Sequence, residues 1–133
     1  MRVLLDTNIL ASAFATRGIC EDILREVLTF HRWVCCEVIL VELERVLKNK
    51  FTVPEPICRE ILEFLRSNAT MAVAADPIPL PLTNEADIRI VSDALAAGVH
   101  ILVTGDKEIV ALGRVEGMRI LSPRRFWELL QGR

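Results

Sequence analysis

The chain's 133 residues are enough for one domain with a real core and too few for two. Hydrophobic residues make up 52% and the mean hydropathy is +0.37, which excludes a disordered chain; no apolar run approaches the roughly 18 residues of a membrane-spanning helix. The net charge of −2 argues against a surface coated in basic residues for nucleic acid, although clustered acids in a cleft would hide a basic rim.

The elements alternate along the chain. Val3–Leu5 reads as a short buried strand that ends on Asp6. Thr7 or Asn8 then caps a helix that runs to about Thr16 and stops near Gly18. Positions 20–31 repeat Ile23, Leu24, Val27 and Leu28, an amphipathic helical stripe. Trp33–Cys36 predicts a strand and Glu37–Asn49 a helix. Pro54 and Pro56 punctuate before a helix from about Pro56 to Asn68. Met71–Ala75 predicts a third strand. The prolines of DPIPLPLTN require an extended loop. Asp87–Ala97 predicts a helix stopped by Gly98. Ile101–Val103 predicts a strand, Lys107–Leu112 a helix, Arg119–Leu121 a strand, and Pro123–Leu130 a terminal helix with proline at its start.

Short apolar strands without period-two alternation, each followed by a helix, are the pattern of a parallel sheet covered on both faces. The expectation is therefore a single three-layer α/β/α domain over residues 1–133, with about five strands. The short apolar run of MRVLLDTN meets a charge too soon for a secretion signal, so a cytoplasmic protein is expected. Cys20, Cys35, Cys36 and Cys58 lack CxxC spacing and read as buried small hydrophobes. Trp33 and Trp127 read as core or interface. The C-terminal segment is locally basic through Lys107, Arg114, Arg119, Arg124, Arg125 and Arg133.

Four carboxylates stand out. Asp6 and Asp106 each follow the end of a predicted strand, which places both at the ligand-binding edge of such a sheet. Glu42 shares its helix face with Val38, Ile39 and Val46, whereas Glu37 and Glu44 fall on the solvated side. Asp87 lies one turn before Ile90, Val91 and Ala94 on the inward face, while Asp93 falls outward, one turn after Arg89. Each has a plain structural alternative: Asp6 and Asp106 as helix caps, Asp87 in a cap with Asn84, Glu42 in a pair with Arg45 or Lys48. Taken together, crowded carboxylates repel unless a cation intervenes. With neither His31 nor His100 near them in sequence, the ligands are hard oxygens, which suit Mg²⁺ or Mn²⁺ rather than Zn²⁺. Metals held this way commonly act on phosphates.

LLDTNIL at 4–10, ELERVL at 42–47, the D-x-x-I-V-x-x-A pattern at 87–94 and LVTGDKEI at 102–109 stand in an order and spacing that resemble the PIN-domain family, and within it the VapC-type toxins of toxin–antitoxin systems. The resemblance covers nearly the whole chain. It implies a PIN-like fold and a Mg²⁺- or Mn²⁺-dependent endoribonuclease whose acidic quartet is Asp6, Glu42, Asp87 and Asp106. Asp6 and Asp87 would be the direct metal ligands, with Glu42 and Asp106 completing the site. Asn8 and Thr104 match accessory polar positions. It further implies an RNA substrate, an antitoxin partner and a homodimer. Arg17, Arg89, Lys107 and Arg114 are candidates for phosphate contact. Cys36 stands where many relatives carry a small polar residue, and only Glu85 could supply an extra acid before Asp87. A haloacid-dehalogenase-like phosphatase also begins with apolar residues and an aspartate, but Asn8 and Val110 stand where it needs aspartates. A catalytically idle PIN-like interaction module is the alternative reading.

Overall fold

The computed structural model describes residues 1–132, so Arg133, one of the basic residues of the C-terminal segment, lies outside the described residues. Six strands and seven helices follow one another as β1 (Arg2–Leu5), α1 (Thr7–Ala15), α2 (Ile19–Phe30), β2 (Arg32–Cys35), α3 (Glu37–Asn49), α4 (Glu55–Asn68), β3 (Thr70–Met71), α5 (Glu85–Ala96), β4 (Ile101–Val103), α6 (Lys107–Val110), β5 (Arg114–Val115), β6 (Met118–Leu121) and α7 (Pro123–Gln131). The strands form one sheet in the order β3-β2-β1-β4-β6-β5, flanked by helices. All pairings are parallel except β5 with β6.

The apolar runs explain the centre of the sheet. Val3, Leu4 and Leu5 of β1 and Leu102 and Val103 of β4 have no exposed surface, because helices cover both faces. Val3, Leu4 and Leu5 pair with Ile101, Leu102 and Val103. On its other side β1 pairs with β2, setting Arg2 beside Arg32 and Leu4 beside Val34. The helices bury the stripes their spacing prescribes: Ile39, Leu43 and Leu47 on α3, and Ile90, Val91 and Ala94 on α5. Ser122 caps α7 by accepting from the Arg125 N–H, and Pro123 follows in the first turn.

From β1 the chain winds outward through β2 to β3. It then returns to β4, on the other side of β1, and winds the opposite way through β6. The order of strands reverses between β1 and β4, which opens a crevice beyond their carboxyl ends.

Several expectations are corrected. The sheet has six strands, because Arg114–Val115 folds back on β6 through a two-residue turn at Glu116 and Gly117. Glu116 takes a φ of 52°, a conformation that gives no apolar signal in sequence. The third strand is only Thr70–Met71. It is an edge strand held by β2, and after Ala72 donates to the Cys35 carbonyl at 2.7 Å the chain leaves the sheet. Val73, expected in that strand, is 85% exposed. Helix α6 ends at Val110 rather than Leu112. The cysteines are free; Cys35, Cys36 and Cys58 pack as buried groups while Cys20 is half-exposed. Trp33 is buried and Trp127 half-buried against the core. Among the described residues, no helix is long and apolar enough to cross a membrane.

Candidate active site

The crevice between β1 and β4 is where the carboxylates gather. The Asp6 N–H donates to the Val103 carbonyl at 2.9 Å, so the first residue beyond β1 is tied to the last residue of β4. Asp6 then caps α1, its Oδ1 accepting from the Thr7 N–H at 2.8 Å. Its Oδ2 accepts from the Thr104 hydroxyl at 2.6 Å. The same hydroxyl accepts from the Asp106 N–H at 3.1 Å. Thr104, wholly buried, thus joins the two strand-end aspartates through one oxygen.

Asp106 caps the short α6 through Oδ1, which accepts from the N–H groups of Glu108 and Ile109 at 2.9 and 3.1 Å. Glu42 comes from the middle of α3, a helix that packs against both α1 and α5. Its Oε1 accepts from the Thr7 hydroxyl at 2.9 Å. Asp87 stands in the first turn of α5, which Asn84 caps by accepting from the N–H groups of Ala86 and Asp87. The structural alternatives weighed for Asp6, Asp106 and Asn84 are therefore real, and they coexist with a shared site. For Glu42 the partner is Thr7 instead: Lys48 is engaged with Glu44 and Glu55.

Electrostatics shows that the four acids face common ground. Burial, then the charges of Asp106, Asp6 and Glu42, with Glu108 behind them, push the Asp87 carboxyl up to about 6. Asp6 is raised chiefly by burial; its bonds from Thr104 and Thr7 oppose that rise and the Asp106 charge adds to it. Such unrelieved negative charge is what a divalent cation would neutralise, and the donor set is oxygen throughout, as Mg²⁺ and Mn²⁺ prefer. Among the described residues, no three His, Cys, Asp or Glu side chains already stand in the arrangement of a metal cage. The fit is one of chemistry and charge rather than preformed coordination.

The remaining candidates spread more widely. Thr104 is in the site, and Asn8 is exposed in the first turn of α1. Lys107 directly follows Asp106, and Arg89 is exposed two residues after Asp87. Arg17 follows the far end of α1. Arg114 lies on the outermost strand, paired with Arg119, which pairs with Ile101 at the start of β4. The register therefore puts Arg114 toward the end of the sheet opposite the crevice.

Asp93 corrects the sequence reading. It is not paired outward with Arg89 but is 3% exposed, its Oδ1 accepting from the Ala75 N–H at 2.8 Å. Ser92 similarly accepts from Ile78 at 3.0 Å. The proline-rich segment 72–84 straps across α5 and buries a flank that would otherwise face water. Two further residues were not read as part of the site, and Thr7, read with Asn8 as a candidate helix cap, yields that place to Asp6. Thr7 orients Glu42, and Glu108 accepts from the Thr83 N–H and hydroxyl at 2.7 and 3.1 Å, pinning the segment before α5 to α6. Their sequence signal is only their closeness to Asp6 and Asp106.

The chain matches the PIN domain family over residues 2–108. No curated protein sequence matches it. It is similar to the structure of VapBC2 from Rickettsia felis bound to a DNA fragment from their promoter, with 16% identity, a TM-score of 0.64, and 92% of this chain and 98% of that chain covered. It is similar to VapBC-1 from nontypeable Haemophilus influenzae at 18% identity and a TM-score of 0.63, covering 93% and 99%. It is also similar to PAE2754 from Pyrobaculum aerophilum at 17% identity and a TM-score of 0.64, covering 100% and 91%. These identities speak for the fold. The family match runs from β1 into α6 and includes all four carboxylates, and on that match the chain belongs to the PIN domain family.

Proposed function

We propose that this protein is a Mg²⁺- or Mn²⁺-dependent endoribonuclease of the toxin type, and that Asp6, Glu42, Asp87 and Asp106 form its catalytic site. The observation that carries the reading is the mutual electrostatic crowding of the four acids at the β1–β4 crevice. Carboxylates set close together without a paired arginine or lysine are costly to a fold, and a cation-binding role accounts for them. Among the described residues none of the four makes a salt bridge.

Asp6 and Asp87 would hold the metal directly, with Glu42 and Asp106 completing the shell themselves or through water. When bound, the cation would lower the pKa of a water and neutralise charge on the attacked phosphate. The chain's own residues do the positioning. Thr104 and the Thr7 N–H fix both oxygens of Asp6. The Thr7 hydroxyl aims Glu42. Among the described residues none donates a hydrogen bond to the Asp87 carboxylate, which leaves it open to a cation, and one carboxylate of the set would help take a proton from the attacking water. In the hydrolysis the water oxygen bonds to phosphorus and the bond to the 3′ oxygen breaks. The leaving oxygen takes a proton from solvent, giving a 5′-phosphate and a 3′-hydroxyl. Asn8, Arg89 and Lys107, exposed within two residues of Asp6, Asp87 and Asp106, would steer RNA, and Arg17 and Arg114 would reach only a longer strand.

The VapBC names of two structural neighbours support an antitoxin partner; a cytoplasmic location and a homodimer are part of the same proposal. The test is cleavage of a mixed RNA pool with Mn²⁺, with Mg²⁺ and with chelator, beside Asp6→Asn. Metal-dependent cutting that the variant lacks supports the reading. Absence of cutting under either metal, with no metal-induced rise in melting temperature, would replace it with the idle interaction module.

A further inference from the structure

The end of the sheet opposite the carboxylates carries the reverse charge. Strands β1 and β2 both begin there with an arginine, and the parallel register sets Arg2 directly beside Arg32. Both are exposed, and neither makes a salt bridge among the described residues. Like charges side by side in a sheet oppose its pairing unless an anion lies between them. The Arg2 guanidinium is laid over Gly98, where a Cβ would come within 3.2 Å of its Nη1. His100 accepts from the Arg2 N–H through Nδ1 at 2.9 Å, which leaves its Nε2–H outward as a donor.

These groups border a pocket of about 760 Å³, a size suited to a small ligand. Arg2, Phe30, His31, Arg32, Trp33 and His100 line it, and no acidic residue does. Its wall holds three unsatisfied polar atoms. Trp33 is only 2% exposed, yet its indole Nε1 has no hydrogen-bond partner. Both ring nitrogens of His31 are likewise buried and unpartnered. Buried donors without partners are rare in folded proteins and mark places where something else supplies the bond. Burial holds His31 below its ordinary pKa, so its ring is neutral and offers one donor and one acceptor. Phe30 stands at the rim, 68% exposed.

We propose that this pocket binds a nucleotide through its phosphate, which Arg2 and Arg32 grip, while the base lies against Phe30, over the wall that holds His31 and Trp33. Guanidinium forks match phosphate oxygens in geometry as well as charge. An aromatic face at the rim suits any base. The phosphate can belong to a free nucleotide or to the end of an RNA, and the site needs no metal.

The test uses the whole chain in excess chelator, which keeps the acidic crevice out of play. Tryptophan fluorescence and melting temperature are followed while AMP, inorganic phosphate, adenosine or a short 5′-phosphorylated RNA is added. AMP is expected to bind more tightly than inorganic phosphate, and adenosine not at all. The double variant Arg2→Gln with Arg32→Gln is expected to weaken AMP binding at least about tenfold. If that variant fails to fold, each single substitution, on an exposed side chain, is expected to weaken it as well. Phe30→Ala should weaken AMP and spare inorganic phosphate. Displacement of AMP by the phosphorylated RNA, tighter than AMP itself, would name an RNA end as the source of the phosphate. Failure of AMP to bind, binding unchanged in the arginine variants, or adenosine binding as well as AMP would overturn the proposal.

Discussion

Asp87→Asn offers the sharpest test of the crowding at the crevice. The substitution keeps the side chain's shape and removes its charge. No hydrogen bond accepted by the carboxylate is lost. Burial and the charges of Asp106, Asp6 and Glu42 move this carboxyl from 3.8 up to about 6. Sealed from water, a change of that size would correspond to about 3 kcal/mol. Asp87 is only half-buried, so solvent screening cuts the figure to roughly 1 kcal/mol. The first turn of α5 favours a negative charge there by a few tenths of a kcal/mol, which offsets part of the gain. The folded state holds this proton more tightly than the unfolded chain does. Below about pH 4 both states are protonated and the penalty is absent. It grows as pH rises and is complete above the folded value of about 6. Without divalent metal, Asp87→Asn should therefore be more stable than the parent at pH 8 by about 1 kcal/mol, or roughly 4 °C in melting temperature. The two curves should converge at pH 4. Urea denaturation in chelator at both pH values measures it. Equal stability at pH 8, or a gap that persists undiminished at pH 4, would refute the reasoning.

Other outcomes follow from the same contacts. Thr104→Val removes the hydroxyl that serves Asp6 and Asp106 and strands a buried carboxylate oxygen, so denaturation should show a loss of about 1–3 kcal/mol. Glu42→Gln and Asp106→Asn should each abolish metal-dependent RNA cleavage while circular dichroism stays that of the parent. Glu108→Ala should free Thr83 and cost no more than about 1 kcal/mol, with faster hydrogen exchange confined to the segment before α5. Asp93→Ala should cost about 1–2 kcal/mol by leaving the Ala75 N–H unpaired, and protease cleavage should appear within residues 72–84.

Much of this was legible in the sequence, for definable reasons. The strands Val3–Leu5 and Ile101–Val103 are apolar on both faces and stop at a charge, so their ends locate Asp6 and Asp106 within a residue or two. Helical spacing separated Glu42 from the exposed Glu37 and the half-exposed Glu44, but it misjudged Asp93, which is more deeply buried than Asp87. Other features left no local trace. The β5–β6 hairpin depends on two residues of strand and a positive φ at Glu116. The burial of Asp93 depends on where a proline-rich strap comes to rest, which no helical period can report. The third strand ended early because pairing is available only along the carboxyl end of β2.

The site's location follows from topology more than from any one residue. Two strands that diverge in winding direction leave their carboxyl ends uncovered, and each chain segment leaving that edge must cap a helix. Aspartate is a good cap, so Asp6 and Asp106 satisfy a local need as they enter a shared space. Capping alone would be met as well by serine or asparagine, without the cost of placing two charges side by side. Glu42 and Asp87 sharpen the point, since Glu42 lies in the middle of α3 and caps nothing, and Asn84 already caps the helix on which Asp87 stands. Local structure therefore accounts for two of the four carboxylates, and the cation site proposed above would account for the set.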